Sequence, residues 1–81
     1  MHFANLPDHR AAVDPDGPAV ADDLTTLTNG EFAARVSVAA GALADRGVGP
    51  LDVVAVQLNN QVDLVVVLFA AWRIGASVNP L

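Results

Sequence analysis

The most regular hydrophobic pattern of the chain lies near its centre and predicts an α-helix. Apolar side chains recur at spacings of four, four and three residues, which places them on one helix face: Phe32, Val36, Ala40 and Leu43. Thr28 followed by Glu31 matches the capping box, in which the two residues satisfy each other's backbone N–H groups. With Gly47 suited to a left-handed helix end, the pattern predicts a helix over residues 30–46.

The C-terminal half alternates between strand and helix patterns. Residues 52–58 (DVVAVQL) are rich in β-branched residues with apolar side chains on both faces, which is typical of a parallel strand covered on both sides. Residues 61–74 are apolar nearly all round, which predicts a buried helix with Asn60 as its cap. Residues 76–79 have the pattern of a second short strand. Together they predict a βαβ unit, whose crossover is nearly always right-handed.

The N-terminal part has the pattern of a short helix and a hairpin. Residues 5–13 are predicted to be helical, with Pro7 in the first turn, where its missing N–H costs nothing. Residues 14–17 form a turn, and residues 18–21 and 25–28 form the two strands of a hairpin. The predicted fold class is therefore α/β. An N-terminal hairpin and helix precede a right-handed βαβ unit of a larger, mostly parallel sheet, so the domain is incomplete.

The chain is more hydrophobic than an isolated domain of its size needs to be. Hydrophobic residues make up 53% of its 81 residues, although so short a chain buries only about 60% of the surface that its unfolded form exposes. The longest strongly apolar run, residues 64–72, is too short for a membrane span, which needs about 20 residues. The composition therefore predicts a partner or a larger protein, with a core that includes Val54, Val56, Leu68 and Phe69.

Charge and cysteine content exclude several classes of function. The net charge is −5, lysine is absent, and the four cations are separated arginines: Arg10, Arg35, Arg46 and Arg73. Nucleic-acid binding is not expected, because it needs a clustered basic face. The absence of cysteine excludes disulfides and thiolate metal sites. Residues 1–10 lack the apolar core of a signal peptide, and we expect a cytoplasmic location.

Two polar pairs and one glycine-containing run are candidates for binding chemistry. Asp22-Asp23 resembles a metal-binding pair, but acidic residues at hairpin tips usually form turns. Asn59-Asn60 follows the carboxyl end of a parallel strand, where α/β proteins bind ligands, although helix capping is the simpler role. The glycines of residues 47–50 end a helix, whereas a phosphate-binding loop must open one.

Other reactive side chains have structural or solvated explanations. His2 and His9 lack cysteine or glutamate at metal-ligand spacing and are expected to be solvated. Ser37 and Ser77 have no base near them in sequence, and Trp72 is expected in the core. We therefore assign no catalytic, cofactor-binding or metal-binding residue to the chain.

Three stretches carry a family resemblance: PAVADDLTTLTNGEFAARV (18–36), GALADRGVGPLDVVAVQLNN (41–60) and LFAAWRIGASVNPL (68–81). In series they are similar to the N-terminal part of the AMP-dependent synthetase and ligase family. There a Leu-Thr-Tyr-Ala-Glu-Leu stretch precedes a long helix, Gly-Val-Gly-Pro-Gly-Asp-Val-Val-Ala leads into a strand, and Val-Asn-Pro-Leu closes the segment. The resemblance divides the chain into a helical region at residues 1–14 and a family-like segment at residues 15–81.

The sequence departs from the family pattern at several positions. Leu51 stands where the family often has glycine. Asn59-Asn60 stands in place of Pro-Asn, and Asn29-Gly30 in place of Tyr-Ala. The family's Ser/Thr/Gly-rich loop ending in Pro-Lys-Gly, which holds the ATP phosphates, is absent from these residues, as are its acidic ribose ligand and C-terminal lysine. The resemblance implies ATP, Mg and CoA for the full-length family, none of them bound by this segment.

The resemblance also implies a function for the parent protein. Family members activate a carboxylic acid with ATP to an acyl-adenylate, and in the CoA-ligase branch a thiol then displaces AMP. Because residues 78–81 resemble that branch, we expect an N-terminal fragment of an acyl-CoA synthetase of fatty acid metabolism. Alone it should be inactive, with the remainder of the synthetase domain as its partner. Two alternatives stay open: a standalone α/β protein-interaction module, and a fragment of a peptide-synthetase adenylation domain.

Overall fold

A computed structural model of the chain describes residues 3–22, 25–56 and 61–80. Its helices and strands follow the predicted order, with a short 3₁₀ turn at Phe3–Asn5 before the first helix. The elements are α1 (Leu6–Val13), β1 (Pro18–Ala21), β2 (Thr26–Thr28), α2 (Asn29–Asp45), β3 (Val53–Val56), α3 (Gln61–Arg73) and β4 (Ser77–Pro80). The predicted α/β class is confirmed, and element ends lie within one residue of the predicted ones where both fall in the described ranges.

The N-terminal hairpin pairs β1 with β2 in antiparallel register. Val20 lies opposite Leu27, and the register is irregular between Pro18 and Val20. Proline has no N–H for the ladder, so the first residue of a strand is one of the few positions in a sheet that tolerate it. The side chain of Leu27 is buried and joins the core below the hairpin.

Both ends of α2 follow from the local sequence. The Thr28 hydroxyl accepts a hydrogen bond from the Glu31 N–H at 3.2 Å, and the Glu31 carboxylate accepts one from the Thr28 N–H at 2.9 Å. This confirms the predicted capping box. At the other end Gly47 has φ 86°, and the Val48 N–H donates to the Leu43 carbonyl at 3.1 Å. This is a Schellman ending, whose left-handed position glycine occupies at least cost.

The second half of the chain forms the predicted βαβ arrangement. β3 and β4 pair in parallel, with Val53 opposite Ser77. α3 ends as α2 does, since Gly75 has φ 81° and the Ala76 N–H donates to the Ala71 carbonyl at 2.9 Å. The chain therefore turns directly from α3 into β4.

The core lies mainly between α2 and α3. Val36 and Val62, at 0% and 1% exposure, are its largest fully buried side chains among the described residues. The rings of Phe32 and Phe69 meet edge to face, with centroids 5.6 Å apart and planes at 87°. Such pairs add roughly 0.5–1.5 kcal/mol beyond burial of their area.

The structure corrects the expectation that α3 is buried all round. Its buried residues lie where it meets the rest of the chain: Val62, Val66, Ala70 and Ala71. Two of the predicted core residues on it, Leu68 and Phe69, are half-buried, as is Val54 on β3, and the side chain of Val56 lies outside the described residues. The reason is that α2 covers one side of α3, while the two-stranded sheet is too narrow to cover the rest. None of the helices in the described ranges has the length and apolar character needed to cross a membrane.

One face of the β3–β4 pair is uncovered. Val53 is 67% exposed, Ala55 on the same face is exposed, and so are Ser77 and Asn79 opposite them. Parallel strands normally occur in sheets with both faces covered. The described part of the chain therefore supplies a cover for only one side of this sheet.

A tight turn at residues 49–52 leads into β3. Pro50 and Leu51 occupy its central positions, and the Asp52 N–H donates to the Gly49 carbonyl at 3.1 Å. This matches a type II turn, whose third position favours glycine. Leu51 nevertheless occupies it with φ 69°, a conformation that costs a residue with a Cβ roughly 1–2 kcal/mol. Its side chain is 94% exposed.

Candidate functional site

The carboxyl ends of β3 and β4 form the edge where an α/β sheet binds ligands. Asn59 and Asn60, which follow β3, lie outside the described residues, so their ligand and capping roles stay predictions. Asn79, near the end of β4, has an exposed side chain. The polar group that Asn79 contributes to this edge is an amide. An amide donates and accepts hydrogen bonds but does not serve as an acid or base.

Asp22 joins the hairpin to the start of α3, a role that was not predicted. Its Oδ1 accepts from the Thr25 N–H at 2.9 Å, which is the expected turn-forming bond, and its Oδ2 accepts from the Val62 N–H at 3.0 Å. Val62 lies in the first turn of α3, so the carboxylate binds at the positive end of the helix. Asp23, the other half of the acidic pair, lies outside the described residues. No local pattern reveals this cap, because its two halves are 40 residues apart.

Arg73 connects the three helices through its guanidinium group. Nη1 donates to Oγ of Ser37 on α2 at 2.9 Å, and Nη2 donates to Oδ1 of Asp8 on α1 at 2.9 Å. Its Nε is buried without a hydrogen-bond partner among the described residues. Because the Asp8 side chain is 54% exposed, water weakens the ion pair, and the main effect of the contact is to fix the helix positions.

Asn29 fastens the loop of residues 14–17 onto α2. Its side chain is buried, at 4% exposure, and its Nδ2 donates to the Asp14 carbonyl at 2.9 Å. Its N–H donates to the Gly17 carbonyl at 2.7 Å, and a Cβ at Gly17 would overlap the Asp14 carboxylate. The departure from the common tyrosine at this position therefore has a structural explanation: the asparagine binds the loop directly.

The remaining predicted candidates show no reactive grouping. His9 is exposed on α1, as predicted, and His2 lies outside the described residues. Ser37 is the acceptor in the bond described above, and Ser77 lies on the uncovered sheet face. Trp72 is half-buried, with its ring edge to face against the phenylalanine of α3 at 5.2 Å. Within the described ranges, no three His, Cys, Asp or Glu residues are grouped as metal ligands would be.

A cavity of about 310 Å³ lies between α1, β1, α2 and α3. Its lining is apolar apart from Arg10 and Asn29, and it includes the rings of Phe32 and Phe69. The Asn29 amide already donates to the loop of residues 14–17. The cavity therefore offers apolar contact and one cation, which suits packing or binding rather than catalysis.

The glycines of residues 47–50 do not form a phosphate cradle. The Gly47 N–H donates to the Ala44 carbonyl at 3.0 Å, and the Gly49 N–H donates to the Asp52 carboxylate at 2.8 Å. Both amides are therefore engaged within the fold, whereas a phosphate site needs free N–H groups at the start of a helix. Residues 47–50 therefore do not provide the free N–H groups that binding of the ATP phosphates would require.

The capping box of α2 also changes the titration of Glu31. The hydrogen bond from the Thr28 backbone N–H is the main cause that lowers the pKa of Glu31 from its ordinary value of 4.5. The hydroxyl of Thr28 lowers this pKa further, burial opposes the change, and the charge of Arg35 adds a smaller lowering effect. The charged carboxylate is thus favoured by the folded state.

The sequence matches the family described as AMP-binding enzyme over residues 7–81. It is 40% identical over 72 residues to enterobactin synthase component F of Escherichia coli (strain K12), a match that takes in 89% of this chain and 6% of that protein. It is 42% identical over 55 residues to the PKS-NRPS hybrid synthetase acdB of Aspergillus candidus, which takes in 68% of this chain and 2% of that protein. The chain thus spans a small share of these relatives.

Solved structures resemble the fold over nearly the whole chain. VinN superposes with a TM-score of 0.91 at 26% identity, covering 100% of this chain and 22% of VinN. The N-terminal subdomain of NpsA from Klebsiella oxytoca superposes with a TM-score of 0.85 at 25% identity, covering 98% of this chain and 21% of that structure. The helices, hairpin and parallel strand pair described above therefore correspond to about a fifth of each of these structures.

Proposed function

Because the chain belongs to the AMP-binding enzyme family, we propose that it forms part of an adenylation domain that activates a carboxylic acid with ATP. The observation that carries the proposal is the agreement of the fold from α1 to β4 with the solved structures named above. The role of this segment in that domain is structural. It supplies a parallel strand pair, one helical layer and the polar contacts that hold them together.

The reaction proposed for the complete domain has two steps. A carboxylate oxygen of the substrate forms a bond to the α-phosphorus of ATP, and pyrophosphate leaves from that phosphorus with the electron pair of the broken bond. A thiol then attacks the carbonyl carbon of the acyl-adenylate, and AMP leaves. ATP and its Mg²⁺ would be held by other residues of the domain, since the described residues do not form a phosphate cradle.

We favour an adenylation domain of the peptide-synthetase type, in which the attacking thiol belongs to a phosphopantetheine-bearing carrier protein. The support is sequence similarity, since one relative with about 40% identity is a PKS-NRPS hybrid synthetase. The second candidate is CoA, the acceptor of an acyl-CoA synthetase, and the closing stretch of residues 78–81 favours it because it resembles that branch. The two candidates share the adenylation step and differ only in the second.

The proposal is tested on the protein encoded by the DNA that continues beyond Leu81. That protein should catalyse ATP–pyrophosphate exchange with a carboxylic or amino acid, whereas the 81-residue chain alone should show none above a blank. Thioester formation is then compared with free CoA and with a phosphopantetheine-bearing carrier protein. A reading frame with no continuation, or a continuation without exchange activity, would contradict the proposal and favour a standalone interaction module.

A further inference from the structure

We propose that Leu51 is an anchor residue that packs against the remaining part of the adenylation domain. The proposal rests on the proposed function, because it requires a longer domain. Its first observation is that a leucine combines a left-handed backbone with an exposed side chain. Leu51 has φ 69° and a side chain that is 94% exposed, so among the described residues no burial of the side chain offsets the strain of its backbone.

The turn around Leu51 is firmly held, so the strain does not reflect a loose loop. The Asp52 N–H donates to the Gly49 carbonyl at 3.1 Å, and the Gly49 N–H donates to the Asp52 carboxylate at 2.8 Å. The Leu51 N–H itself donates to the Gly75 carbonyl at 3.0 Å, which joins the turn to the end of α3. Three hydrogen bonds therefore hold the leucine in its left-handed conformation.

The residues that precede Leu51 in its turn are uncharged. No residue from Gly47 to Leu51 carries a charge, and the carboxylate of Asp52 is engaged with a backbone N–H. Pro50 is exposed beside it, and Val53, the first residue of β3, is 67% exposed. The turn thus leads directly into the uncovered strand pair, and the exposed apolar side chains of Pro50, Leu51 and Val53 suit contact with a protein surface rather than with a charged ligand.

The occupant we assign to this surface is the rest of the same domain. The chain corresponds to 22% and 21% of the two superposed structures, so most of such a domain lies outside the described residues. Burial of the leucine by that part would offset the backbone strain. A glycine, which the family often has here, would avoid the strain but provide no side chain to bury.

The test compares three variants of the longer protein. Leu51→Gly and Leu51→Asn remove the side chain but tolerate the left-handed conformation, whereas Leu51→Ala removes the side chain and keeps the strain. If the leucine is buried by the rest of the domain, all three should lower Tm, and Leu51→Ala should lower it most. A Tm that rises for Leu51→Gly would overturn the anchor role.

A second measurement does not depend on stability. Leu51→Cys introduces a thiol into a segment that has no cysteine, and its labelling by a maleimide is followed by peptide mass spectrometry. Labelling should be slower in the longer protein than in the short chain by about tenfold or more, because burial limits reagent access. Val13→Cys, at a position 66% exposed on α1, is the control for general changes in reactivity.

The outcomes separate this inference from the proposed function. An active longer protein in which Leu51→Cys labels as fast as in the short chain overturns the anchor role alone. If Leu51→Cys is protected from labelling in a longer protein that shows no ATP–pyrophosphate exchange, the anchor role stands and the proposed function is contradicted. Protection that appears in the short chain as it dimerises would assign the surface to a second copy and overturn the proposal.

Discussion

At the scale of single residues, polar side chains determine how the elements of this chain are joined. Asn29, Asp22 and Arg73 bind groups that are 15, 40 and 65 residues away in sequence. Hydrogen bonds to charged groups contribute about 1.5–3 kcal/mol when they are shielded from water, and less when they are exposed. Of the three residues, Asp22 has the clearest consequence, because one carboxylate serves both the hairpin turn and a helix end.

Replacing Asp22 by alanine should lower the free energy of unfolding by about 1–2 kcal/mol, the usual effect of losing a helix cap. The reason is that the Val62 N–H and the Thr25 N–H lose their acceptor together. Urea unfolding of the longer protein that contains the segment measures the change, and hydrogen exchange should show faster exchange at the start of α3. Asp16→Ala, which removes an exposed carboxylate of the loop before β1, is the control for the change in charge. Equal stability of the two variants would contradict the role of Asp22 as a cap.

At the scale of elements, the parts predicted correctly are those fixed by neighbouring residues. The capping box of α2 and the glycines that end α2 and α3 lie within a few residues of the groups that they bind. The parallel pairing of β3 with β4 follows from a strand–helix–strand order with short connections. These features need no information about distant parts of the chain.

The parts not predicted depend on residues distant in sequence or outside the segment. The cap from Asp22 and the contacts of Arg73 require the tertiary arrangement to be known first. The all-round apolar pattern of α3 predicts burial, but burial also needs neighbours on every side, and the described residues provide them on only part of the helix. The left-handed conformation of Leu51 was also not predicted. The turn sets this conformation, and the exposed side chain gives no sign of it in the sequence.

The capping box of α2 should make stability depend on pH through Glu31. Because the folded state lowers the pKa of this carboxyl below 4.5, its contribution is complete above pH 4.5. It is lost as the pH falls below that value through the lowered folded-state pKa. Glu31→Gln keeps an acceptor but does not titrate, so its stability should fall less steeply as the pH is lowered below 4.5. Urea unfolding of the longer protein, measured at a series of pH values on both sides of 4.5, gives the slope.

The control for this prediction is Thr28→Ser, which keeps the hydroxyl that caps α2. Its stability should retain the pH dependence of the unchanged chain. If Glu31→Gln and the unchanged chain lose stability with the same slope, the carboxylate of Glu31 does not contribute to the pH dependence of folding.

At the scale of the whole molecule, the segment has more apolar surface than it covers. One face of the β3–β4 pair is exposed, α3 is half-buried along much of its length, and a net charge of −5 provides only modest repulsion between chains. Unpaired strand edges and exposed apolar faces recruit other chains. This combination favours association over a stable monomer.

The isolated chain should therefore sediment as associated species or require a partner for solubility. Sedimentation velocity at several concentrations measures association, and hydrogen exchange measures the protection of Val53–Val56. A concentration-independent monomer with strong amide protection in that strand would show that the chain closes its own core. That result would favour the standalone module over the domain segment.

The cap between Asp22 and α3 has a consequence for the order of events during synthesis. The ribosome adds about 5–20 residues per second, so the 40 residues that separate Asp22 from Val62 take about 2–8 s. A hairpin forms within microseconds of its residues becoming available, far sooner than α3 emerges. The residues of the hairpin, including Asp22, are thus free to pair before the first turn of α3 leaves the exit tunnel. The cap itself can form only when the Val62 N–H follows, so we expect the start of α3 to be the step that locks the hairpin in place.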